Sequence, residues 1–254
     1  YSAIAKYNQE IIAILSKKFD IDYYYNNPVE SGSGFWNSYI PFEFNYINIK
    51  ELNDYNYRLY DLIVYNIGNS EYHIDTIKKS LVYPGIVILH DFFLKNIWNF
   101  AVNKNLLTKE RLLLEKEFNK NEDAFISSIL NSSLGIITNS NYVAELVKKE
   151  LVYDIPIKTL YLPARFTNVR KMFNKDKIKI SMAGIVAKEK GIDFFLDICE
   201  NLRAKYSSKV KFSIFGYNFA DTINLYESRL KDLDFEIITD LDDYNWNKKL
   251  LETN

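Results

Sequence analysis

A repeated order of apolar run, small or polar turn and helix pattern constrains this chain more than any other feature of its sequence. Four short apolar runs end in small or polar residues, and the segments after the first three have helical spacing. Continuous apolar runs are typical of strands buried on both faces of a parallel sheet with helices on either side. We therefore predict a Rossmann-like α/β unit. The runs are DLIVYNI (61–67), GIVIL (85–89), LGIIT (134–138) and IKTLYL (157–162).

A second series of strand and helix patterns follows a polar and basic segment, FTNVRKMFNKDK (166–177). The 254 residues fit two modest domains better than one. We predict an N-terminal Rossmann-like domain over residues 1–165 and a C-terminal one over 166–254. The second series consists of the strand patterns KIKISMAG, VKFSIFG and FEIITDL, with the helical patterns KGIDFFLDICENLRAKY and ADTINLYESRLKDL between them.

Both ends of the sequence depart from the order that an α/β domain normally follows. The chain opens on a helical pattern over residues 3–18, whereas such domains usually begin with a strand, and it stops within another helical pattern. We therefore expect a longer parent protein and a second domain that is truncated. A further helical pattern over 104–120 is charged and fits a solvated outer face.

Composition and charge disfavour several classes of protein. A hydrophobic fraction of 48%, a charged fraction of 26% and a formal net charge of -1 describe a soluble globular protein without bias toward nucleic acid or anionic lipid. No apolar run approaches the roughly 20 residues that span a bilayer, and the opening residues lack the order of a secretory signal. The single Cys199 excludes a disulfide framework and fits a buried thiol in a helix. We expect a cytoplasmic protein.

The residues directly after each strand are the candidates for ligand contact, because ligands of open parallel sheets bind outside the carboxyl ends of the strands. Both histidines of the chain fall among these residues. The qualifying clusters are Gly68-Asn69-Ser70 with His73, His90-Asp91, Asn139-Ser140, and residues 184–191.

His90 and His73 lie at or just beyond strand ends, outside any apolar helix face. A histidine there can hydrogen-bond a sugar hydroxyl or a phosphate, or position a reacting group. The alternatives are structural: a hydrogen bond to backbone for His90, and a surface position in a helix capped by Ser70 for His73. Asp91 can orient His90 or favour the start of the next helix through the macrodipole, and the second interpretation is the safer one.

The turn between Gly184 and Gly191 is a candidate site for an anion. Lys188 and Lys190 lie in this turn, and Gly191 precedes a helical pattern. Free backbone N–H groups and an ammonium group in such a turn can hold a diphosphate. The alternative is an ordinary connection from strand to helix with solvated lysines.

Several catalytic signatures are absent from the sequence. Two scattered histidines and one cysteine do not form a zinc set, and a solvated loop or a helix cap explains the acidic cluster Asp240, Asp242 and Asp243, so we expect no metal and no cofactor. No G-x-S-x-G, P-loop or G-x-G-x-x-G string occurs, which disfavours hydrolases, NTPases and dinucleotide-dependent oxidoreductases. A metal-independent mechanism is therefore favoured.

The chain resembles the group-one family of retaining glycosyltransferases with the GT-B fold in five strings that occur in one order: YNIGNSEYH, PGIVILHD, GIITNSNYVAELV, AGIVAKEKGIDFFLD and VKFSIFG. The similarity spans nearly the whole chain. It implies two facing Rossmann-like domains, a nucleotide-sugar donor held mainly by the second, and a carbohydrate or lipid-linked acceptor at the first. It also implies polysaccharide biosynthesis or glycoprotein assembly, in the cytoplasm or peripherally at the inner face of the membrane.

The resemblance implies roles for single residues. His90 corresponds to the family's histidine near the transferred sugar and is the candidate catalytic residue. Lys190 corresponds to the lysine that contacts the donor diphosphate, where it would stabilise the charge on the departing group. The remaining candidates are Gly184 and Gly216 for donor binding, and Asn69, His73 and Asp91 for contacts with the acceptor or the sugar.

Two alternatives to a transferase remain open. Ile185 occupies the place where the family usually has an arginine, and the sequence ends before the family's pair of donor-binding glutamates. These features favour a catalytically degenerate module that binds a partner transferase or a glycan. The other alternative is an unrelated doubly wound enzyme, such as a sugar-phosphate epimerase of GT-B shape.

Overall fold

The computed structural model describes residues 3–26, 45–104, 122–162, 178–218 and 221–239, together with Asn245 and Lys249. The chain divides into two compact units, Tyr1–Ala164 and Arg165–Asn254. Helices alternate with strands, and every strand pair is parallel within the described residues. The predicted α/β class with parallel sheets is therefore confirmed. The predicted segments 105–120 and 166–177 lie outside the described residues.

The first unit contains a four-stranded parallel sheet in the order β3-β4-β5-β6. Its central strands are almost fully buried, as the continuous apolar runs predict. The register aligns Ile67 with Leu89 and Leu89 with Thr138, so three strands end at the same level. The strands are β3 (Val64–Ile67), β4 (Ile86–Leu89), β5 (Gly135–Thr138) and β6 (Ile157–Thr159).

Within the described residues, six helices of the first unit cover this sheet or join its strands. Polar side chains cap the N-termini of two of these helices: Ser140 Oγ accepts from Val143 N, and Asn53 forms a capping box with Asn56. Apolar residues from several of the helices complete one core with the sheet. The helices are α1 (Ala3–Leu15), α2 (Asp54–Tyr57), α3 (Ile74–Ser80), α4 (Lys95–Asn103), α5 (Glu122–Asn131) and α6 (Asn141–Glu150).

A separate two-stranded parallel sheet in the first unit was not predicted from the sequence. It pairs β1 (Asp22–Tyr25) with β2 (Asn45–Asn48). A hydrogen-bond chain fixes β1, because Tyr60 Oη donates to Asp22 Oδ2 at 2.7 Å and lies 3.0 Å from Tyr24 Oη. The strand's stability thus depends on partners that are distant in sequence, and a four-residue strand with three consecutive tyrosines does not reveal them.

The described part of the second unit contains a three-stranded parallel sheet in the order β7-β8-β9 with its own core. Cys199 is fully buried in that core, as predicted, and burial raises the pKa of its thiol to about 12. None of the helices in the described parts of the chain is long and apolar enough to cross a membrane. The elements are β7 (Ile178–Val186), α7 (Ile192–Tyr206), β8 (Val210–Asn218), α8 (Thr222–Leu225), α9 (Glu227–Asp232) and β9 (Phe235–Thr239).

Candidate functional site

The carboxyl edge of the first unit's sheet brings three of the predicted clusters together. Because β3, β4 and β5 end at one level, the residues that follow them lie side by side at this edge. These residues are Gly68, His90 and Asn139. The backbone continues the alignment by one step, since His90 N donates to the Ile67 carbonyl at 2.8 Å.

Two asparagine side chains hold the imidazole of His90. Asn139 Nδ2 lies 3.3 Å from His90 Nδ1, and His90 Nε2 lies 3.0 Å from Asn66 Oδ1. An amide nitrogen donates, so His90 Nδ1 accepts and His90 Nε2 carries the hydrogen that it donates to Asn66. This arrangement selects one neutral tautomer of His90.

The surroundings disfavour positive charge on both histidines. Burial, followed by the nearby His73, lowers the pKa of His90 to about 4, although Asp91 acts in the opposite direction. Burial also lowers the pKa of His73, against the effects of the Asn66 carbonyl and of Asp91. With both ring nitrogens occupied, His90 can contact a sugar through its ring only after it exchanges an asparagine partner for a ligand.

His73 and Gly68 show how tightly this edge is packed. His73 Nδ1 lies 3.0 Å from the Asn66 carbonyl oxygen and donates to it. A Cβ atom on Gly68 would lie 2.5 Å from Ile4 Cδ1, 3.2 Å from His73 Nε2 and 3.3 Å from Asp91 Oδ2. A side chain at this position would therefore require the flexible end of Ile4 to shift. The absent side chain leaves room for α1 to pack against the edge.

Asp91 and Asn69 make structural bonds in the loops of this edge. Asp91 Oδ2 accepts from Asn69 N at 2.9 Å, whereas α4 begins only at Lys95. The macrodipole interpretation of Asp91 therefore does not describe its contact, which joins two loops. Asn69 Oδ1 accepts from Asn96 N at 2.8 Å and from Ile97 N at 3.2 Å, and it caps α4. Contacts of Asn69, His73 and Asp91 with a sugar stay predictions.

Two residues that the sequence analysis did not select also belong to this edge. The Asn66 side chain accepts a hydrogen bond from His90, and its carbonyl accepts one from His73. An asparagine within an otherwise apolar strand is the sequence signal that indicates such a role. Tyr7 meets His90 edge-on, with ring centroids 5.0 Å apart and planes at 87°. Nothing in a helical apolar pattern distinguishes Tyr7 from an ordinary core position.

Tyr7 Oη and Asn139 Oδ1 are buried and have no hydrogen-bond partner among the described parts of the chain. Burial raises the pKa of Tyr7, so the hydroxyl keeps its proton. A buried polar group without a partner costs about 1–3 kcal/mol of stability. Two such groups flank the same imidazole.

The second unit places two glycines opposite each other in the β7–β8 pair, Gly184 and Gly216. A Cβ atom on Gly216 would lie 1.8 Å from the Gly184 carbonyl oxygen, and its φ of 147° also excludes other residues. A Cβ on Gly184 would meet nothing within 4 Å, although its φ is 126°. Bare backbone therefore lines this part of the sheet.

Lys188 and Lys190 lie in a single 3-10 turn and are exposed. The turn ends at Gly191, whose φ of 82° is left-handed, and α7 begins directly after it. Lys190 N donates to the Ala187 carbonyl and Gly191 N donates to the Lys188 carbonyl, both at 3.0 Å. These two amides are therefore not free for a ligand, contrary to the expectation, whereas the exposed ammonium groups of Lys188 and Lys190 are charged donors in this turn.

A cavity of about 320 Å³ in the second unit lies at the opposite end of the sheet from Gly184 and Gly216. Its lysine at the start of β7 already pairs with Glu236 at 3.0 Å, so the cavity does not coincide with the predicted donor site. No three His, Cys, Asp or Glu side chains of the described residues group closely enough to hold a metal ion. The cavity is lined by Lys179, Lys211, Phe212, Asp234, Phe235 and Glu236.

Comparison with known proteins yields distant structural similarity alone. No protein-family profile matches the chain, and no curated protein matches it. A crystal structure of TarM matches with a TM-score of 0.44 and 17% identity, over 72% of this chain and 37% of the TarM chain. A mutant of S. aureus TarM in complex with fondaparinux, alpha-GlcNAc-glycerol and UDP matches with a TM-score of 0.40 and 17% identity, over 67% and 35%.

The Glycosylation Associate Protein (Gap123) complex from Streptococcus agalactiae matches with a TM-score of 0.30 and 14% identity, over 70% of this chain and 40% of that chain. The chain thus spans well under half of each of these three structures. Similarity at this level neither assigns a family nor supports an argument about function.

Proposed function

We propose that this chain carries the machinery of a retaining, metal-independent glycosyltransferase of the GT-B type. It would move a sugar from a nucleotide-sugar donor to a carbohydrate or lipid-linked acceptor. The proposal follows the five sequence strings and their order. Two Rossmann-like units would share the reaction, the first on the side of the acceptor and the sugar, the second on the side of the nucleotide.

One structural observation carries the proposal. Both parallel sheets present residues of the five strings at or near the carboxyl ends of their strands. Gly68, His90 and Asn139 directly follow strands of the first unit, and Gly184 and Gly216 pair two positions before the last pair of β7 and β8 in the second. Ligands of open parallel sheets bind at carboxyl ends. A polar edge in one unit and a bare backbone edge in the other suit a sugar and a nucleotide diphosphate, respectively.

The chemistry assigned to these residues is electrostatic. The ammonium group of Lys190 would stabilise the negative charge that develops on the departing diphosphate. The acceptor hydroxyl would attack the anomeric carbon with its configuration kept. His90 would contact the sugar as a neutral ring, because the low pKa of its imidazole disfavours a role as a charged acid near pH 7.

One observation favours the second candidate, a degenerate module that binds a partner transferase or a glycan. Ile185 lies near the end of β7, and its side chain is 50% exposed. An apolar side chain there cannot neutralise phosphate, whereas it could contact a protein partner. Donor binding separates the two candidates.

Calorimetric titration of the full-length protein with UDP-, GDP- and ADP-sugars tests the proposal. We expect one of these donor classes to bind and Lys190→Ala to weaken that binding about 10- to 100-fold, because a charge-assisted contact to phosphate is lost. Lys209→Ala is the matched control, since Lys209 is an exposed lysine of the same unit in the 3-10 turn directly before β8.

Unchanged affinity in Lys190→Ala would remove Lys190 from its assigned role. Failure of all donors to bind the full-length protein would contradict the transferase and favour the partner-binding module. Equal losses in Lys190→Ala and Lys209→Ala would indicate a general effect of positive charge instead of a specific contact.

A further inference from the structure

Two oxygen atoms beside His90 have lost contact with water without gaining a hydrogen-bond partner among the described residues. They are Tyr7 Oη and Asn139 Oδ1. Tyr7 is only 5% exposed, and its ring meets the His90 ring edge-on at a centroid distance of 5.0 Å. Asn139 Nδ2 lies 3.3 Å from His90 Nδ1. Both unpartnered oxygens therefore belong to side chains that contact one imidazole.

Rearrangement of hydrogen atoms within the chain does not remove this deficit. Rotating the Asn139 amide by a half turn would bring Oδ1 to His90 and leave the NH₂ group in the unpartnered position. Tyr65, a buried tyrosine of the same unit, shows the usual outcome, because its Oη donates to the Tyr83 carbonyl at 2.8 Å. Tyr7 and Asn139 thus need a partner from outside the described residues.

We propose that Tyr7 and Asn139 form a hydroxyl-binding subsite around His90, and that this subsite takes a hydroxyl group of the transferred sugar. The inference deepens the proposed function and rests on it. A hydroxyl can donate to Asn139 Oδ1 and can accept from Tyr7 Oη, so neutral sugar chemistry satisfies both atoms. An ionised phosphate has no donor to offer Asn139 Oδ1. The subsite therefore recognises the sugar and not the diphosphate.

The position of Tyr7 in α1 gives the sugar a route to the subsite. Tyr7 lies near the beginning of a helix that starts at Ala3. Helix ends open at lower free energy than helix centres, so a displacement of the first turns of α1 would uncover the Tyr7 hydroxyl. The neighbouring contact of Ile4 with Gly68 would open with it.

Tyr7→Phe and Tyr65→Phe in the full-length protein separate this subsite from a structural role. Each substitution removes one buried hydroxyl from the first unit. We expect Tyr7→Phe to leave the melting temperature unchanged or slightly higher, because it removes an unsatisfied group, and Tyr65→Phe to lower it by a few degrees. For the affinity of a bound ligand, we expect Tyr7→Phe to have the larger effect. Tyr7→Phe should weaken a bound nucleotide sugar about five- to tenfold, whereas Tyr65→Phe should not.

The matching nucleoside diphosphate is the internal control, since Tyr7→Phe should leave its affinity unchanged. Equal affinity of Tyr7→Phe and the native protein for the nucleotide sugar would overturn the subsite. So would a melting temperature lowered as far as in Tyr65→Phe, which would show that the hydroxyl has a partner in the free protein. A crystal structure in which one water satisfies both oxygens with and without sugar would overturn it as well.

A separate readout applies if no nucleotide sugar and no nucleoside diphosphate binds, in which case the proposed function fails. The free monosaccharides glucose, galactose, mannose and N-acetylglucosamine are then titrated at millimolar concentration against the ring signals of His90. Shifts that occur in the native protein and vanish in Tyr7→Phe would support the subsite. Unshifted His90 signals with all four sugars would overturn it.

Discussion

Both ring nitrogens of His90 face asparagine side chains, with Asn66 on one side and Asn139 on the other. The sequence left open whether His90 contacts a ligand or makes a structural hydrogen bond to backbone. This arrangement decides only partly between the two. The bonds are structural, as the conservative interpretation holds, yet their partners are side chains of the same edge and not backbone. Strand-end position predicted where His90 lies, but the residues that hold it come from another strand and loop, which a local pattern does not reveal.

The ionisation of His90 is the first prediction at this scale. The chain has only two histidines, so two sets of ring signals report on both. NMR titration should give His90 a pKa of about 4, and the nitrogen shifts near pH 7 should show hydrogen on Nε2. Asn66→Asp should raise this pKa by about 1–3 units, because a carboxylate favours the charged ring. A native His90 that titrates near 6.5 would contradict the burial of its ring between Asn66 and Asn139.

The low pKa also predicts how stability depends on pH. Between pH 6.5 and about 4 the unfolded histidine binds a proton that the folded one does not, so the free energy of unfolding falls as pH falls through this window. Allowing for solvent screening, we expect His90 to contribute roughly 1–2 kcal/mol of that loss. Urea unfolding followed by circular dichroism at pH 6.5 and 4.5 measures it. His90→Asn should show a weaker dependence, and an equal one would exclude His90 as its source.

At the scale of elements, Gly216 and Gly184 make a matched pair of substitutions. Gly216→Ala would force a methyl group to 1.8 Å from the Gly184 carbonyl oxygen, whereas Gly184→Ala places it in open space. Both positions have positive φ, so both substitutions add strain of about 1–3 kcal/mol. Thermal and urea unfolding of the two variants measure the difference. We expect Gly216→Ala to cost more than about 4 kcal/mol or to abolish folding of the unit.

Similar losses in both glycine variants would indicate that strain in φ, and not the close approach of β7 and β8, explains the requirement for glycine. The comparison also bears on function. Gly184→Ala should fold, so its affinity for nucleotide sugars reports whether bare backbone at this position contacts the donor.

The elements themselves were largely predictable. The apolar runs located β3 to β9, and helical spacing located most helices. The pair β1–β2 was missed, because its strands are short and depend on distant partners such as Tyr60. For the candidate site, the sequence predicted the residues that directly follow the strands. Tyr7 was not, since its contact with His90 joins segments that are far apart in the chain.

At the scale of the whole molecule, the two units each have a core and a parallel sheet of their own. The central claim is that both serve one transfer of a sugar. Distant structural similarity does not test this claim, which therefore needs an experiment. If the claim holds, variants in each of the two units reduce the same transfer activity. His90→Asn in the first unit and Lys190→Ala in the second are suitable, with Lys209→Ala as control, after melting curves show that each variant folds.

The most direct measurement is the rate at which the full-length protein releases nucleoside diphosphate from its donor when a glycan or lipid-linked acceptor fraction is added. We predict acceptor-dependent release that falls at least about tenfold in His90→Asn and in Lys190→Ala alike, with Lys209→Ala at the native rate. Native-rate release by either unit's variant, or no release by the native protein with any UDP-, GDP- or ADP-sugar, would contradict the claim.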